Sequence, residues 1–248
     1  VYVEKRDCFS CHHQALTVMA LGRAKLSGYK VQADGVSTQS QFTLEYFHDR
    51  MKRLIKGEGV PGGPYSAGYA LTGLSAAGEP GGDTIKALVE YLLKTQHKDG
   101  GWRIHTHRPP LEDSHLTATA LAIRGLVGFA DAADGNESMD RALAWLKKAE
   151  PKSTEDRVFK LLGLHWGNGG AAKASAAKAL MEMQRDDHGW GQLPNMKSDA
   201  YATGQALFTL REIGFLKVDS PHYRLGSKWL IDHQDADGSW HVKTRSKP

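Results

Sequence analysis

The sequence predicts an all-helical protein in which helical hairpins repeat and an inner layer of helices alternates with an outer one. Three observations carry that expectation. A turn recurs as Gln96-His-Lys-Asp-Gly-Gly-Trp102, Gln184-Arg-Asp-Asp-His-Gly-Trp190 and Gln234-Asp-Ala-Asp-Gly-Ser-Trp240, each with a Trp six residues after a Gln and an acidic residue three before the Trp. Segments of small residues with apolar positions at helical spacing recur at 66–74, 116–126 and 202–210, the pattern of helices that touch neighbours on several sides. Runs such as 45–55 and 141–148 instead carry one apolar and one charged face, as helices do at a surface.

The elements follow in order along the chain. Residues 13–26, beginning His13-Gln-Ala-Leu, read as an inner helix, and 45–55 as an amphipathic outer one. Ser66 to Leu74 is inner, and the apolar run 87–93 is outer and leads into the first Gln-to-Trp turn. There the glycines supply the positive φ that ends a helix, and the Trp can fold back with its ring N–H near polar turn groups. Inner 116–126, outer 141–148 and inner 155–165 come next, then the run 176–181 and the second turn. Inner 202–210, outer 228–231 and the third turn complete the pattern. Leu71 and Leu121 are 50 residues apart and Leu121 and Leu207 are 86 apart, or two units, so a unit of roughly 40 to 55 residues recurs. About five helical hairpins fit in one domain spanning residues 1–248.

Composition sets limits on function. Of 248 residues, 40% are hydrophobic and 24% charged, which describes a water-soluble globular chain long enough to bury a large core. No stretch reaches the roughly 18 consecutive apolar residues of a membrane span, and nothing at Val1 resembles a signal core. The net charge of +4 is spread along the chain, which gives no reason to expect a nucleic acid partner.

The Gln-to-Trp turns after apolar helices, together with the small-residue inner helices, resemble the QW repeats of squalene–hopene cyclases and the related terpenoid cyclase and protein prenyltransferase α/α-toroid superfamily. The resemblance covers nearly the whole chain. It implies an α/α toroid of five to six hairpins around a central cavity. The count falls short of six, so the expectation is a toroid that is open, built from fewer units or, preferably, a fragment. It does not by itself imply catalysis. In the cyclases an acidic DxDD motif supplies the proton, and none occurs here. Asp186-Asp187 and the Asp235/Asp237 pair lie in the repeated turns, where acidic residues serve turn chemistry. The zinc-ligand order of the prenyltransferases has no match either.

The sharpest local motif is Cys8-Phe-Ser-Cys11-His12, which uses both cysteines of the chain. Cys-x-x-Cys-His is the attachment pattern of c-type haem, in which two thiols add to vinyl groups and the adjoining His ligates iron. Zinc held by Cys8, Cys11, His12 or His13 is an alternative, as is a disulfide. The motif precedes an inner helix, which places it at a rim beside the cavity. Other inner helices start with polar residues: Tyr65-Ser66, Asp113-Ser114-His115, Glu155-Asp156-Arg157 and Ser198-Asp199-Ala-Tyr201. Ser114, Ser198 and Asp199 suit helix caps. Asp113, His115, Asp199 and Tyr201 are the candidates for cavity contacts.

His105 and His107 alternate in an extended segment, so their rings project to one side, where they could share a metal or supply a second iron ligand. Met196 and His13 are further candidates for that ligand, although Met19, Met181 and Met183 fit core positions. Arg103, Arg108 and Arg124 could balance propionates, or be no more than solvated surface residues. The preferred expectation is a c-type haem protein for electron transfer or small-ligand chemistry, with a redox partner or larger complex. Haem c implies an exported, periplasmic-type location. The alternatives are a terpenoid-cyclase-like or prenyltransferase-like enzyme or isoprenoid carrier, perhaps with zinc, lined by Tyr69, Tyr201, Phe208 and Trp166, and a structural subunit of an assembly.

Overall fold

The computed structural model describes residues 7–109, 112–130 and 132–245; the side chains of His12, Ala33 and residues 132–134 lie outside the description. A single π-turn, Cys11–Ala15, leads into α1 (Leu16–Leu26). Then come α2 (Ala33–His48), α3 (Met51–Lys56), α4 (Gly63–Ala77), α5 (Asp83–Thr95) and α6 (His115–Phe129). The remaining helices are α7 (Ala132–Lys148), α8 (Thr154–Trp166), α9 (Ala171–Met181), α10 (Ala200–Glu212) and α11 (Pro221–Asp232). The fold is all-α. Extended pairing among the described residues is confined to two isolated bridges, Arg108 with Glu112 and Gly191 with Ser198.

Five helices form a row, with α1 on α4, α4 on α6, α6 on α8 and α8 on α10. The others stand beside them: α5 touches α4 and α6, α7 touches α6 and α8, and α9 touches α8 and α10. Sequence explains the division. In α4 every residue from Gly63 to Leu74 is buried, a segment in which small residues leave no side chain to separate it from its neighbours. A Cβ at Gly68 would lie 2.8 Å from Leu121 Cβ, and one at Gly163 would lie 3.2 Å from Ala120 Cα. The backbones of α4, α6 and α8 therefore approach at the limit of packing, and added methyl groups there would cost about 1 to 3 kcal/mol. By contrast α5 buries Ile85, Leu88 and Leu92 but turns Lys86 and Glu90 to solvent.

The amphipathic run expected at 45–55 is broken at Asp49-Arg50, where α2 ends and α3 begins. Arg50 donates through Nη1 to Tyr46 O at 2.7 Å and lays its guanidinium over the Tyr46 ring, 3.7 Å from the centroid. The break thus has a fixed geometry. Helix α2 starts at Ala33, well before the apolar pattern becomes visible, because Gly35 and the Ser/Thr/Gln residues that follow are weak helix signals.

The recurrent turns have one construction. Gln96 Nε2 donates to Gly100 O at 2.9 Å, Gln184 Nε2 to His188 O at 2.9 Å, and Gln234 Nε2 to Gly238 O at 2.7 Å. Asp99, Asp187 and Asp237 each accept a backbone N–H two residues on, from Gly101, Gly189 and Ser239. Each Trp ring N–H reaches back ten residues, to Leu92 O at 2.8 Å, Leu180 O at 2.9 Å and Leu230 O at 2.7 Å. The first two turns also bond forward: Trp102 N donates to Thr119 Oγ1 at 3.0 Å and Trp190 N to Thr203 Oγ1 at 2.9 Å. Gln thus closes the loop, Asp caps it, and Trp ties it to the helix just left.

Candidate functional site

The row helices begin with polar residues, and much of the polar chemistry gathers there. Ser114 caps α6, Asp199 caps α10, and Ser153 with Asp156 forms a reciprocal capping box on α8. Ser198 does not cap as expected; its hydroxyl donates to Asp187 Oδ1 at 2.9 Å and ties the second turn to the start of α10.

The cysteine motif lies before α1. The π-turn is held by Gln14 N donating to Ser10 O at 2.9 Å and by Ser10 N donating to Gln14 Oε1 at 2.6 Å. Cys8 is exposed and Cys11 is buried at 8% exposure, and the two are not joined in a disulfide. Burial pushes the Cys11 thiol up to about 12, opposed in part by its hydrogen bond with Ser66 of α4; Glu112 and Arg108 act on it with opposite signs. His13 faces solvent, with Nδ1 3.0 Å from Ser10 Oγ. The His12 side chain, the expected iron ligand, lies outside the described residues.

A cavity of about 470 Å³ opens where α6 and α8 begin, and its wall includes Ile104, His105, His107, Asp113, His115 and Arg245. Two pairs chosen from sequence for different reasons, His105 with His107 and Asp113 with His115, therefore share one pocket. Asp113 is the hub: Ser153 Oγ donates to Oδ2 at 2.6 Å, while His107 Nε2 and Arg245 Nη2 lie 3.4 and 3.2 Å from Oδ1. His115 Nδ1 accepts Ile104 N–H at 3.2 Å, which leaves Nε2 to carry the ring proton of the neutral imidazole. Burial, aided by Arg103, lowers its basicity. Asp156 accepts from Lys152 N, Ser153 N and Ser114 Oγ, so its role is structural. Among the described residues, no three His, Cys, Asp or Glu side chains converge in a metal-holding arrangement.

The other candidates lie elsewhere. Asp199 accepts Ala202 N–H and the Gln192 amide, which fits its capping role. Met196 belongs to the loop between Trp190 and α10, where its N–H donates to Leu193 O. Tyr201 points inward. Its hydroxyl donates to Glu155 Oε2 at 2.9 Å and accepts from Gln205 Nε2 at 2.8 Å. Glu155 is 2% exposed, and burial pushes its carboxyl up to about 8 against the favourable bonds of Gln205 and Tyr201. Tyr65 and Tyr69, stacked edge to face at 4.9 Å, come close enough to Glu155 to feel its charge. Side chains from α4, α8 and α10 thus meet in one buried polar cluster, although α4 and α10 are not neighbours in the row.

Sequence reasoning took one of these groups only as helix-start polarity and missed another. Glu155 is spaced with Phe159 and Leu162 on the buried stripe of α8, so an acid among apolar positions at i+4 and i+7 was the available signal. Arg245 had none, because it reaches Asp113 through the chain's path after the last turn. A search against known protein families finds no model that matches this chain.

Proposed function

We propose that the row of helices curves into an α/α toroid and that the protein carries a c-type haem at its rim, with Cys8 and Cys11 as thioether anchors and His12 as the iron ligand. Curvature is supported by the ion pair between Arg23 of α1 and Glu212 of α10 at 2.8 Å, which links the first and last helices of the row, and by the Tyr69–Glu155–Tyr201 cluster. One observation carries the haem reading. Cys11 sits against Ser66 and within electrostatic reach of Arg108 and Glu112, a pair that begins one residue after His107. The attachment motif and the candidate second ligands therefore share one end of the helices.

The sulfur environment fits a thioether better than a thiolate. Burial disfavours charge on the metal-free Cys11 thiol. A thioether sulfur is uncharged and tolerates the same surroundings. Cys8 is open to solvent, so its S–H can add across a vinyl double bond without disturbing the core. A bound haem would supply one-electron or ligand chemistry. The chain would supply covalent anchors, an axial imidazole and the Arg108 and Arg245 charges toward acidic substituents. This reading also entails export, because such attachment is completed outside the cytoplasm. The test is a pyridine haemochrome spectrum and intact mass after expression with haem-ligation machinery. One covalent haem, lost in Cys11→Ala, is expected. An unmodified mass with no Soret band rejects the reading.

A second reading, an isoprenoid-binding or cyclase-like protein, gains one observation: Glu155 is an acid that keeps its proton at neutral pH beside Tyr69 and Tyr201. Of the other proposed lining residues, Phe208 is exposed, and Trp166 is half-buried with the Arg124 guanidinium 5.9 Å from its ring. Product formation from a polyprenyl substrate would favour this reading.

A further inference from the structure

Buried polar atoms without partners mark places where a structure is built for something more. Two of them stand in the interior cluster, Glu155 Oε1 and Gln205 Oε1. Both are oxygens. Of the neighbouring donors, Tyr201 O–H goes to Glu155 Oε2 and Gln205 Nε2 goes to Tyr201. Tyr65 and Tyr69, both buried, and Tyr201, half-buried, lie within electrostatic reach of Glu155. When Glu155 is ionised both oxygens are buried acceptors without a donor, at about 1 to 3 kcal/mol each, whereas the protonated carboxyl brings one donor of its own.

We propose that the Glu155–Gln205 cluster, walled by Tyr65, Tyr69 and Tyr201, is a binding site for a small ammonium-type cation, either ammonium itself or the head of a primary amine. Such a group brings several N–H donors and one positive charge. The donors match the two free oxygens, the charge matches a carboxylate that has no cation of its own, and the aromatic faces favour positive charge. The charged and titratable groups acting on Glu155 are Asp113 before α6, Arg245 after the third turn, Tyr65 and Tyr69 of α4, and Tyr201 of α10. Arg245 is the one cation among them, and it is engaged with Asp113 and Gln192. A bound ammonium therefore supplies what the protein leaves out.

The site differs from the cysteine motif and does not depend on haem. Because Glu155 holds a proton until about pH 8, the cation and the proton compete for one carboxylate. Binding then releases a proton, and affinity should rise about tenfold per pH unit below that value and level off above it.

The experiment adds ammonium chloride or methylammonium chloride to the full chain at pH 6.5, with sodium chloride at equal ionic strength as reference and tetramethylammonium chloride as a size control. Proton release is read with an indicator dye in weak buffer, and the protonated-carboxyl infrared band is followed in parallel. Saturable proton release with loss of that band, specific to the two N–H-bearing cations and abolished by Glu155→Gln, is expected. Tyr201→Phe, which keeps the ring and removes the hydroxyl, should retain release with its midpoint shifted. No release from the wild-type chain overturns the proposal and leaves an internal water as the occupant. Equal release by sodium, or an unchanged response in Glu155→Gln, overturns it as well.

Discussion

The first two Gln-to-Trp turns and the third are built alike and end differently. All three close through Gln, cap through Asp and return the Trp ring N–H to a carbonyl ten residues back. Yet Trp102 and Trp190 are 0% exposed, whereas Trp240 is 40% exposed. The difference lies in what comes next. Thr119 of α6 and Thr203 of α10 accept the backbone N–H of Trp102 and Trp190, and each Trp is covered by the row helix that follows. Local sequence therefore makes the turn, while burial comes from the next hairpin. Repeat architectures behave this way, since each unit completes the core of its neighbour.

Alanine substitution should separate the two situations most sharply. Trp102→Ala or Trp190→Ala should destabilise the fold by about 3 to 5 kcal/mol, and Trp240→Ala by about 1 kcal/mol or less, as read from urea unfolding midpoints. Equal losses at the three positions would mean that the turn, not the covering helix, holds the energy. A smaller effect isolates the forward bond. Thr119→Val and Thr203→Val keep shape and leave a buried Trp N–H unpaired, for a loss of about 1 to 3 kcal/mol each. Amide exchange at Trp102 and Trp190 should speed up accordingly, while Trp240 serves as the reference for an N–H outside such a bond.

The smallest effect concerns one backbone angle. Gly100 and Gly238 have φ of 98° and 86°, and His188 occupies the same place in the second turn with φ of 71°. A side chain there is strained, although exposure lets the ring escape contact. His188→Gly should raise stability by about 0.5 kcal/mol, strain relief being offset by a freer unfolded chain. Unchanged or lower thermal stability would show that the imidazole contributes more than its backbone costs.

The same contrast explains what was legible in the sequence. The turns could be read because Gln, Asp, Gly and Trp act within seven residues, and α4, α6 and α10 could be read because small residues at helical spacing have few other uses. The start of α2 could not, since Asp34, Gly35 and Ser37 are weak helix formers. At the site, His105 and His107 were picked out as one pair and Asp113 and His115 as one helix start, but their convergence depends on how residues 104–107 lie against the starts of α6 and α8. Glu155 looked like first-turn polarity. Only its burial between α4 and α10 makes it an acid with a raised pKa.

Arg245 fastens the end of the described chain to Asp113 and Gln192 in its middle. On a ribosome the lining residues between Ile104 and Asp156 are made before Leu193 and Arg245, which complete the rim pocket. The pocket is thus assembled in two instalments, and a nascent chain would expose an unneutralised Asp113 until synthesis has passed Arg245.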